Sequence, residues 1–254
     1  MKDEELTNLF IKAKGYIEKR VESTDPNRLW QGIGIKLREK ELKSLLRRLK
    51  RFEKNPAGIR LSDRKDLLLL LLYAKGRMGK VAEPILGMTR IMKLLFIAFE
   101  ELALAPLIKN PYRFAPYKLG PCAPELYFDL ETLIDAKLIR VTKLDPEGVP
   151  VITQDSETAN RLSRLNSGIT AAERLDSLTQ AFQLTPKGKR FARTLLESAL
   201  KRQKNILPGL EIIKAQFGSL PLTQLLRYVY CRYPEYSTKS AIIDKVIGKT
   251  HQSD

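Results

Sequence analysis

Residues 85–140, ILGMTRIMKLLFIAFEELALAPLIKNPYRFAPYKLGPCAPELYFDLETLIDAKLIR, decide the fold. Thr89 carries the hydroxyl of an N-cap, able to accept a free backbone N–H where a helix starts. Behind it Ile91, Leu94, Leu95, Ala98 and Leu102 recur at helical spacing and predict one apolar face. The stretch from Asn110 to Pro121 is dense in Pro, Gly and Tyr and predicts a loop that continues neither flanking helix. A second helix is expected from about Ala123 to Asp135, burying Leu126, Leu130, Leu133 and Ile134. Leu138–Val141 alternates and reads as the first strand of a hairpin. Helix, turn, helix, strand is the order of a winged helix-turn-helix, so the expected fold is mainly α with a small β-hairpin.

Several short pieces in the same order carry a family resemblance. Thr89-Arg90-Ile91-Met92-Lys93-Leu94-Leu95-Phe96 is followed by Tyr117-Lys118-Leu119-Gly120-Pro121, then Glu125-Leu126-Tyr127 and Leu138-Ile139. Later come Leu184-Thr185-Pro186-Lys187-Gly188, Tyr228-Val229-Tyr230 and Tyr233-Pro234-Glu235-Tyr236-Ser237. Over roughly residues 62–247, with gaps, the chain resembles the YwgA-like winged-helix family, related in style to the SocA-like antitoxin domain called Panacea. The resemblance implies a winged-helix core and an antitoxin-like, partner-binding role. Where that family has a hydroxyl residue after Gly-Pro, this chain has Cys122-Ala123.

Outward from this core, Leu61-Ser62-Asp63 starts a helix expected to run through Lys75, and its six consecutive leucines place it at the centre of the core. Ile85-Leu86 reads as a short strand pairing with the wing. Residues 1–22 and roughly 35–53 read as amphipathic helices, the second with Leu42, Leu45, Leu46 and Leu49 on its buried side. Together they form a basic helical arm over 1–60. The winged-helix domain is expected over 61–205, with an insertion in the wing at about 145–180. Ala181–Leu184 is its returning strand. Thr185 then caps a helix with Pro186 at its first position, running to about Asn205. A C-terminal helical bundle over 206–254 follows.

The 254 residues can bury a sizeable core. Cys122 and Cys231 are too few for a cysteine zinc site or a disulfide scaffold. No apolar run approaches a membrane span and the N-terminus lacks a signal-peptide core, so the expectation is a cytoplasmic protein with no membrane partner. His251 is the lone histidine, which removes Ser-His, Cys-His and His-metal chemistry. Gly76-Arg77-Met78-Gly79-Lys80-Val81 lacks the first glycine and the hydroxyl residue of a phosphate loop. Glu100-Glu101 and Glu211 with Lys214 read as ordinary exposed helix charges. Cys122 invites a thiolate reading near a helix start, but a small residue at a cap position is preferred. No cofactor, no metal and no catalysis are expected.

Charge is what remains. The formal net charge is +16, which favours a polyanionic partner. Residues 36–65 hold twelve Lys or Arg against four Asp or Glu, and residues 185–204 hold seven against one. The expected phosphate contacts are Arg47, Arg48, Lys50, Arg51, Lys54, Lys118, Lys187, Lys189, Arg190 and Arg193. The helix that would enter a major groove, by contrast, carries Glu125, Asp129, Glu131 and Asp135 and no cation. Replacing Glu125, Asp129 and Glu131 with Ala is therefore expected to leave nucleic-acid binding intact. Two readings follow. One is a DNA-binding regulator or accessory subunit that grips double-stranded DNA or another nucleic acid by its phosphates. The other is an antitoxin-like or defence-system module that binds another polypeptide through Glu125, Tyr127, Phe128 and Asp129. A second copy of the chain is a further candidate partner.

Overall fold

The computed structural model describes residues 26–144, 180–201 and 203–248, with side chains described from Glu39 onward. Over these residues the protein is mainly helical with a small antiparallel sheet. The helix expected over 1–22, nearly all of the expected wing insertion and His251 lie outside them. The chain divides into two compact units, Met1–Leu49 and Lys50–Asp254. The division falls inside α1 (Pro26–Lys54), and the C-terminal helices belong to the same unit as the sheet. In the first unit Leu45 and Leu49 are buried, while Leu46 is 40% exposed, so the apolar stripe of this helix is narrower than the four leucines suggested.

In the second unit the core starts from a reciprocal cap. The Asp63 carboxylate accepts the Lys65 N–H at 2.9 Å, and Asp66 Oδ2 accepts the N–H groups of Ser62 and Asp63. This arrangement satisfies the free donors of α2 (Arg64–Tyr73) in both directions. Leu67 through Leu72 are all buried, because α2 is covered on every side by later elements of the unit. The chain then forms β1 (Ile85–Leu86) and turns into α3 (Met88–Glu101). The residue opening α3 is Gly87, not Thr89: the strand ends one residue earlier, and the turn needs the left-handed φ of +83° that glycine adopts freely.

The proline-rich stretch after α3 is not a plain loop. It holds a hairpin of β2 (Ala115–Tyr117) and β3 (Gly120–Cys122), with Pro116 opposite Pro121. Neither proline has an N–H, so this register puts them at a pair that exchanges no backbone hydrogen bonds. The hairpin packs on α3 and on the C-terminal segment. Next come α4 (Glu125–Asp135) and β4 (Ile139–Lys143), then, after the undescribed stretch, β5 (Gln180–Leu184). β4 and β5 pair antiparallel from Ile139↔Leu184 to Lys143↔Gln180, and β1 pairs with the other edge of β5, giving the order β1-β5-β4. α5 (Pro186–Leu200) ends short of Asn205. α6 (Ile206–Phe217), α7 (Leu222–Arg232) and α8 (Ile243–Ile247) follow, with α6 packed on α2, α3 and α5.

Candidate nucleic-acid interface

α5 is built to present charge. Thr185 Oγ1 accepts the Gly188 N–H at 3.0 Å, and Pro186 occupies the first turn, where its missing N–H costs nothing. Phe191, Ala192, Leu195, Leu196 and Ala199 form its buried face, which leaves Lys189, Arg190 and Arg193 exposed. The end of α1 that belongs to this unit lies against it. Phe52 is buried edge-on to Phe191, with centroids 5.1 Å apart, and Lys187 Nζ meets Glu53 Oε1 at 2.9 Å. Lys187 holds the Glu53 carboxyl below its usual range, and Arg190 and Lys50 act in the same direction. Two runs about 130 positions apart in the sequence thus supply one basic surface: exposed Lys50, Arg51 and Lys54 from α1, and Lys187, Lys189, Arg190 and Arg193 from α5.

Lys137 joins this surface, and no sequence pattern announced it. It terminates α4 in the left-handed region, at φ +59°, a position usually given to glycine. Its carbonyl accepts Thr185 Oγ1 at 2.7 Å, which sets the exposed Lys137 beside the start of α5. Arg47 and Arg48 precede Lys50, Arg51 and Lys54 on the same helix and belong to the first unit. Lys118 is elsewhere, in the β2–β3 turn, where its carbonyl accepts the Ala241 N–H at 2.9 Å.

On α4 the expected row of outward carboxylates is broken at Asp129. This residue is 2% exposed, and both its oxygens accept from Arg64, at 2.6 Å from Nε and 3.2 Å from Nη2. Lys65 Nζ lies 3.7 Å away and 2.9 Å from Asp63. Burial works against the Arg64 charge, but the Asp129 carboxylate holds its pKa above the usual guanidinium value. Asp129 is therefore not available to a docking partner, because at helical spacing it falls on the buried stripe of Leu126, Leu130 and Leu133. Glu125, Tyr127 and Phe128 are half-buried, and burial pushes the Glu125 carboxyl up. Glu131 and Asp135 are exposed.

No family model matches the sequence, and neither a curated protein nor a solved structure is significantly similar to it.

Two further lysines are buried, one of them Lys214, which the sequence read as an exposed helix charge. Lys93 on α3 is 2% exposed and donates to the Pro121 carbonyl at 2.7 Å. Lys214 on α6, 3% exposed, donates to the carbonyls of Leu72 and Ala74 at 2.9 and 2.8 Å, closing the C-terminal end of α2. Burial lowers the pKa of each to about 7. A neutral amine keeps two N–H donors, enough for either set of carbonyls. Cys122 lies in β3 rather than at a helix cap, and burial pushes its thiol up to about 11, although Lys93 pulls the other way. The thiol form prevails, which argues against a reactive thiolate. Among the described residues no group of three or more His, Cys, Asp or Glu could hold a metal ion, and no helix is long and apolar enough to cross a membrane.

Proposed function

We propose that this is a winged-helix protein of the YwgA-like kind that holds nucleic acid by its phosphates, acting by binding rather than catalysis. The observation that carries the reading is the junction of Phe52 with Phe191 and of Glu53 with Lys187, which gathers two basic helix segments onto one unit. Exposed cations repel one another and contribute little to folding, typically under about 1 kcal/mol each. Packing alone gives no reason for so many together. A winged-helix core is supported by the order helix, strand, helix, hairpin, helix, strand, strand over α2 to β5, and by the sheet order β1-β5-β4, in which β4 and β5 would be the wing.

The test is binding of a labelled DNA duplex at two salt concentrations by the wild type and by a triple variant, Arg51→Gln, Lys189→Gln and Arg190→Gln. Wild-type affinity is expected to fall steeply with salt, because each neutralised phosphate releases counterion. The variant should bind unrelated sequences more weakly by a similar factor, with a log–log salt slope flatter by up to about three contacts at ~0.9 each. Its melting temperature should stay nearly unchanged. No binding at low salt, or an unchanged affinity in the variant, refutes the reading.

A second reading, a module that docks another polypeptide, is favoured by one feature. α4, the helix that would enter the groove, has no Lys or Arg and exposes Glu131 and Asp135. An unaltered affinity in the triple variant would move the protein to this reading.

A further inference from the structure

The basic surface contains its own anions: Glu197 lies 3.4 Å from Arg193 one turn along α5, and Glu53 sits where the two helices meet. Glu53 follows the buried Phe52 on α1, so the aromatic contact with Phe191 fixes where its backbone lies and directs its carboxylate onto Lys187. The pair is open to solvent, with the Glu53 side chain 57% and Lys187 34% exposed at an N–O distance of 2.9 Å. Lys50 and Arg190 also act on the same carboxylate. A lysine ammonium is a compact point charge, satisfied by a carboxylate oxygen or a phosphate oxygen alike. Exposed pairs of this kind are weak and exchange readily.

Resting on the nucleic-acid reading above, we infer that Glu53 occupies the phosphate position of Lys187 and is displaced when nucleic acid binds, which makes Glu53 the residue that sets the affinity of the surface. The pair thereby holds the protein back from tight, indiscriminate attachment to any polyanion. Lys187 contributes its phosphate contact only after releasing Glu53, so part of its gain is offset.

A double-mutant cycle on the full chain tests this, using the same labelled duplex at low and higher salt. Glu53→Gln should bind about three- to tenfold more tightly at low salt, with a salt slope steeper by about one contact, since Lys187 is then free for a phosphate. Glu53→Asp, whose shorter reach weakens the pair, should give an intermediate gain. In a Lys187→Gln background the gain from Glu53→Gln should fall below twofold. A gain of equal size in that background would mean that Glu53 acts only through net charge, and it would overturn the competition. Unchanged affinity in Glu53→Gln, with wild-type binding intact, overturns this inference alone. Absence of binding by every variant at low salt overturns the nucleic-acid reading and this inference with it.

Discussion

Asp129→Asn separates a surface carboxylate from a buried one. In the wild type, Arg64, Lys65, Asp63 and Asp129 form a cluster of zero net charge, with Asp129 2% exposed. The substitution removes the carboxylate that both Arg64 and Lys65 approach, and with it one negative charge from a site with little water. Removing one partner of a buried ion pair costs about 3–5 kcal/mol. The Asn carbonyl still accepts one hydrogen bond from Arg64, so about 3 kcal/mol is expected. With an unfolding slope of about 3 kcal/mol per molar urea, the midpoint should fall by about 1 M. The double variant Arg64→Met, Asp129→Leu should recover most of the loss, because the remaining Lys65–Asp63 pair, at 2.9 Å, is neutral by itself. A single variant within about 0.5 kcal/mol of the wild type would refute the reasoning and return Asp129 to the surface. The triple alanine change at Glu125, Asp129 and Glu131, harmless if all three faced outward, is for the same reason expected to destabilise the protein.

Stability should rise with pH between about 7 and 9. Lys93 and Lys214 have folded pKa values lowered to about 7 from 10.5, so over that window the unfolded chain binds more protons and each lysine adds up to about 1.4 kcal/mol per pH unit. Above pH 9 the raised Cys122 thiol opposes the trend, since the unfolded chain then loses a proton that the folded one keeps. Lys93→Met should flatten the rise measured by thermal melts, and a wild-type melting temperature constant from pH 7 to 9 would count against buried lysines. Gly188→Ala should destabilise by about 1–3 kcal/mol or more in urea unfolding, because a Cβ there would lie 2.0 Å from the Leu138 carbonyl oxygen, a backbone atom that cannot swing aside. A neutral effect would mean that α5 enters the unit at a different angle.

What the sequence disclosed was what repeats locally. The leucine run of α2, the alternation at Leu138–Val141, the Thr185-Pro186 start of α5 and the short strand at Ile85-Leu86 are periodic or capping signals, and each stands where it was expected. The misreadings depend on distant partners. Thr89 has the chemistry of a cap, but the position of β1 gives the turn to Gly87. Pro116 and Pro121 look like strand breakers until they are placed opposite each other. Asp129 and Arg64 are 65 residues apart, and Lys214 lies 142 residues from the carbonyl of Leu72 that it binds. Helical spacing alone could place these charges on a face, but not say that the face had an ionic partner. The basic runs were legible as charge. Their meeting through Phe52 and Phe191, and the presence of Glu53 between them, were not.

Lys214 also ties the order of synthesis to the order of folding. The leucine-rich helix is among the earlier parts of the second unit to leave a ribosome, yet the ammonium that closes its end belongs to a helix made 142 residues later. At translation speeds of about 5–20 residues per second, that interval is roughly 7–28 seconds. For that time Leu67 through Leu72 lack the complete α6 that packs on them, and for most of it they lack α5 as well. Until then the six leucines of the nascent chain wait for their own C-terminal half.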